Sequence, residues 1–85
     1  MSEQALPSGD FRIFVQKIAM QGFFALGLIE VPGAPEQRPN PQMAQGVVDD
    51  LVMLREKTSG SLDESEAMTL DKFITDLELK ISELS

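Results

Sequence analysis

Three separate stretches of this chain repeat apolar residues at steps of three and four, and each opens on residues suited to cap a helix. Between the stretches lie a proline-rich spacer and a turn built on Gly60. These observations predict an all-α domain of three helices. Helices two and three are expected to form an antiparallel hairpin. Helix one is expected to serve as an apolar packing and oligomerisation helix. Residues 1–9, with Pro7, Ser8 and Gly9, carry little pattern and read as a mobile tail. Residues 10–85 read as one small helical domain.

Helix one, about 10–27, starts at Asp10, a good cap before an apolar run. Phe11, Phe14, Val15, Ile18, Gly22, Ala25 and Leu26 define its main stripe. Ile13, Met20, Phe23 and Phe24 fall outside it. Polar residues stop at Gln21, so the second half is apolar nearly all round, the pattern of a helix buried on most sides. Gly27 is expected to end it, with Leu28, Ile29 and Val31 running on in extended form. Two further helices offer this one too little cover within a single copy. A buried Phe contributes about 1.5–3 kcal/mol relative to exposure, and rings left in water make an adhesive patch. The expected interface between copies is therefore Phe11, Phe14, Ile18, Met20, Phe23, Phe24 and Leu28, with Phe23 and Phe24 near its centre.

Residues 30–40 hold Pro32, Pro35 and Pro39, which forbid regular structure. The segment reads as a stiffened connector; its P-x-x-P-like spacing also allows a docking segment. Asn40 and Pro41 then restart the helix, a cap followed by proline at the first helical position. Helix two, about 41–58, steps through Ala44, Val47, Leu51, Leu54 and Thr58, and Val48, Val52 and Met53 widen its apolar face. Gly60 supplies the left-handed backbone a helix end favours. Asp63 and Glu66 form a capping box for helix three, about 63–84, and Leu62 and Ala67 have the spacing of a hydrophobic staple. Ala67, Leu70, Ile74, Leu77, Ile81 and Leu84 make its seam, Phe73 flanks it, and Met68 and Leu79 lie off it.

Composition narrows the function. Eighty-five residues make one domain that buries only roughly 60 % of its unfolded surface. No cysteine is present, so disulfides and thiolate sites are excluded; no histidine is present, which removes the commonest metal ligand and general base. Self-association is the remaining aid to a thin core. The net charge of −7 repels nucleic acid and anionic membrane. Seven acidic residues follow Gly60 against Lys72 and Lys80, making the last helix an acidic ridge: a solvated face, or a docking surface for a basic partner. No export signal or membrane span is visible, which places the expected protein in the cytoplasm.

No constellation for chemistry is found. Ser59, Ser61 and Ser65 sit where turns and caps want them, and no histidine can activate them. Gly22, Gly27 and Gly33 fit no phosphate loop. Asp49 and Asp50 are adjacent on a helix and diverge by about 100°, so they cannot converge on one cation. The expectation is no enzyme activity, no catalytic residue, no cofactor and no metal. The expected function is a non-enzymatic interaction module or small regulatory or adaptor subunit that self-associates and docks on another regulatory or signalling protein. The alternatives are a structural homo-oligomer without other partner and a membrane-surface peripheral protein.

One resemblance bears on this. Ala25-Leu26-Gly27, Pro32, then Leu51-x-Met53-Leu54-x-Glu56-Lys57-Thr58-x-Gly60-x-Leu62-x-Glu64-x-Glu66, then Leu70 and Leu77, resembles the DUF1844 family, a bacterial domain of unknown function. The resemblance covers roughly residues 11–80, and its most specific part is the segment from Met53 to Leu62. It implies a short, all-helical cytosolic protein and supplies no catalytic residue. The chain departs from the family pattern at Asp76-Leu77-Glu78-Leu79-Lys80, where more arginine and an aromatic are expected.

Overall fold

The computed structural model describes residues 9–29, 33 and 38–84. It contains three helices, α1 (Phe11–Ala25), α2 (Pro41–Lys57) and α3 (Glu64–Leu84), and no strand among the described residues. Each helix packs against both others. The expected tail up to Ser8, Val31 and most of the proline-rich connector lie outside the described residues.

The helix starts follow from their caps. Asp10 accepts from the Arg12 backbone N–H at 2.9 Å. The Asn40 side chain accepts from the Met43 N–H at 3.1 Å, with Pro41 at the first helical position. At α3 the capping box is reciprocal: the Glu66 N–H donates to Asp63 at 2.8 Å, and the Asp63 N–H donates to Glu66 at 3.0 Å. Each side chain thus satisfies a donor that the helix leaves orphaned.

The end of α1 is a Schellman turn. Gly27 takes φ +76°, its N–H bonds the Phe24 carbonyl at 3.0 Å, and the Leu28 N–H bonds the Phe23 carbonyl at 3.0 Å. The Ala25 carbonyl receives the Asn40 N–H at 2.6 Å. The last turn of α1 is therefore bonded to the cap of α2. At the end of α2, Thr58 bonds back to the Leu54 carbonyl through its hydroxyl at 2.7 Å and its N–H at 3.0 Å, and Gly60 takes φ +85°.

The core is aliphatic and small. Val15, Ala19, Gly22, Ala25 and Leu26 from the first helix and its cap meet Ala44, Val47, Val48 and Leu51 from α2 and Leu70, Ile74 and Leu77 from α3. Phe11, Ile18, Phe23, Val52, Leu54, Leu62, Phe73 and Ile81 pack around it. Gly22 sits where the three helices meet: a Cβ there would lie 2.8 Å from Leu77 Cδ2 and 3.3 Å from Val47 Cγ1.

The structure corrects the expected stripes in three places. Phe14 is half exposed while Ala19 is fully buried. The close approach of α2 and α3 at Gly22 selects the small residue on that face, and the bulky ring one step from Val15 is turned aside. Met53 does not join the apolar face of α2, and Leu84 is open to water beyond the last core turn of α3.

Candidate interaction surface

The first helix is apolar on two sides. Its inner side follows Val15, Ala19, Gly22 and Leu26, all buried. Ile13, Met20 and Phe24 are spaced seven and four residues apart, so they share a face roughly opposite the inner one. Met20 is 44 % exposed and Phe14, on the flank, 50 %; Ile13 and Phe24 are half-buried. Leu28, just past the Schellman turn, is exposed as well.

The seven residues expected at an interface are therefore divided by the fold. Phe11 and Ile18 lean on the core. Phe23 meets Phe73 of α3 edge to face, with ring centroids 6.4 Å apart. Phe14, Met20, Phe24 and Leu28 keep apolar surface toward water. The division was beyond helical periodicity, because the edge contact joins rings fifty residues apart in sequence.

Charge is segregated along the same lines. α1 contains Arg12 and Lys17 and no acidic residue. α3 contains six acidic residues against Lys72 and Lys80, a net of −4. Arg12 serves the fold: it bonds Asp10 through two side-chain nitrogens and reaches the Ser65 hydroxyl of α3 at 3.2 Å. Those hydrogen bonds, with the backbone N–H of Arg12, hold the Asp10 carboxyl below its ordinary range. In turn Asp10, ahead of Asp63 and Glu66, raises the Arg12 guanidinium above its usual value. Lys17 forms no ion pair among the described residues.

The polar depression between the starts of α1 and α3 is lined by Asp10, Arg12, Asp63, Ser65 and Glu66. Its carboxylates are occupied by the caps described above, so no nucleophile there has an idle base beside it. Asp49 accepts from the Gln45 side chain at 3.1 Å. Among the described residues no group of three acidic side chains converges as a metal site would require. No helix among them is long and apolar enough to cross a membrane.

A family model described as a domain of unknown function, DUF1844, matches residues 8–83. The chain belongs to the DUF1844 family. The match takes in the caps, all three helices and the outer face of α1. No curated protein and no solved structure matches this DUF1844 chain.

Proposed function

We propose that this DUF1844 domain is a non-enzymatic interaction module, a small regulatory or adaptor subunit of the bacterial cytoplasm, and that it self-associates through the outer side of α1. The observation that supports the reading is the second apolar side of that helix. After α1 has filled the core with Val15, Ala19 and Gly22, it still offers Phe14, Met20 and Phe24 to water. Apolar side chains gathered on one helix face mark contact surfaces more often than single scattered ones do.

The size of the face sets the strength of the contact. A helix of fifteen residues is about 22 Å long. One face of it falls short of the ~800 Å² per partner that stable complexes bury. Association is thus reversible and concentration-dependent.

Sedimentation velocity from micromolar to millimolar chain tests the reading. The wild type is expected to show a concentration-dependent rise in mass. Replacing both Phe14 and Met20 by Ser is expected to leave helical content intact and to suppress that rise. A wild type that stays monomeric throughout removes the proposal.

A further inference from the structure

We infer that the surface methionines are this chain's oxidation sites: peroxide converts their thioethers to sulfoxides while the three helices stay folded, and at Met20 the change reaches the outer face of α1. The part played by Met20 rests on the self-association proposed above; the surface reaction does not.

Composition leaves methionine alone in this chemistry. The chain has five methionines and no cysteine, histidine, tryptophan or tyrosine. Met1 lies outside the described residues. The other four are all open to water, from 44 % exposed at Met20 to 63 % at Met68, with Met43 and Met53 between them. Methionine ordinarily fills gaps inside a core. Here the core is aliphatic, and no methionine belongs to it or to the side chains packed around it. Met68 borders an open depression on α3 with Glu64, Ser65, Thr69 and Lys72, so a small oxidant meets its sulfur directly.

The reaction needs only the peroxide. The thioether sulfur attacks one peroxide oxygen, an S–O bond forms and the O–O bond breaks. The second oxygen takes the proton of the first and leaves as water. Sulfur loses two electrons and the peroxide gains them. The product is a polar sulfoxide, which reductases of the methionine sulfoxide class return to the thioether.

Position decides the consequence. In a core the new oxygen would be buried without a donor, at a cost to the fold. At four exposed positions it stays hydrated, and the packing of Val15, Leu51, Leu70 and Leu77 is untouched. Met20 differs in its neighbours: it stands seven residues after Ile13 and four before Phe24 on the second apolar face of α1. Contact through that face would strip water from the sulfoxide. Oxidation there weakens association and leaves the subunit folded.

Hydrogen peroxide treatment of the full chain tests the inference. Intact mass is expected to show one added oxygen per methionine, and circular dichroism an unchanged helix content and a cooperative melt. Sedimentation is expected to show association about tenfold weaker, the effect of desolvating an unpaired polar oxygen. Met20→Leu is compared with its own untreated form and is expected to associate equally before and after treatment. A chain that takes up no oxygen while free methionine is oxidised, or that loses helix once oxidised, overturns the surface reaction. Association unmoved by oxidation at Met20, or weakened as much in treated Met20→Leu as in treated wild type, overturns the part given to Met20. A chain that keeps its helices through oxidation but never associates overturns the self-association and Met20's part with it, and supports the surface reaction.

Discussion

A Cβ added to Gly22 would stand 2.8 Å from Leu77 Cδ2, and Leu77 is fully buried. The first and third helices are thus as close as a missing side chain allows. Gly22→Ala gains about 1 kcal/mol of helix propensity but overpacks the junction, which costs about 1–3 kcal/mol. A small net loss in urea unfolding is expected for Ala, and loss of cooperative folding for Gly22→Leu. An Ala variant clearly more stable than wild type would show that Leu77 has room to move.

Leu51 and Leu77 fill the same core from α2 and α3. Truncating either to Ala is expected to cost about 2–5 kcal/mol. A domain this small has a total of roughly 5 kcal/mol to lose. Thermal melts followed at 222 nm should show either variant largely unfolded at 37 °C.

The reciprocal bonds of Asp63 and Glu66 predict coupling. Asp63→Ala is expected to cost about 0.5–2 kcal/mol. Removing Glu66 as well should cost less than the sum of the two single losses, because each cap bond presupposes the same turn. Additive losses in a double-mutant cycle would separate the two bonds.

The Asp10 cap gives a pH dependence of defined sign. Its carboxyl titrates below the ordinary range when folded, first because of the Arg12 side chain. Its stabilising effect is therefore present above the ordinary carboxylate value and is lost as pH falls through the lower, folded one. Arg12→Ala should raise the Asp10 titration toward the ordinary range in carboxyl-detected NMR. An unchanged titration would assign the shift to the backbone bonds alone.

Much of the fold was legible because its signals are local. Asp10, Asn40-Pro41, Gly60 and the Asp63–Glu66 pair each act within a turn of themselves, and each appears in its expected role. The seam of α3 through Leu70, Ile74 and Leu77 was equally plain, since its period is regular. Phe14 was not, because periodicity cannot weigh a large ring against Ala19 when a glycine brings three helices together. Phe23 against Phe73, and Arg12 against Ser65, join positions that only the packed chain makes neighbours.

The bond between the Asn40 N–H and the Ala25 carbonyl has a consequence for how chains of this kind can vary. It fastens the two helices at their junction, so the connection that follows the Schellman turn at Gly27 and Leu28 is already held at both ends. Doubling such a connection adds only about 0.6 kcal/mol of closure entropy. Insertions, fluorophores or affinity handles introduced there should leave the three rods assembled as before, which makes this junction the natural place to attach a reporter.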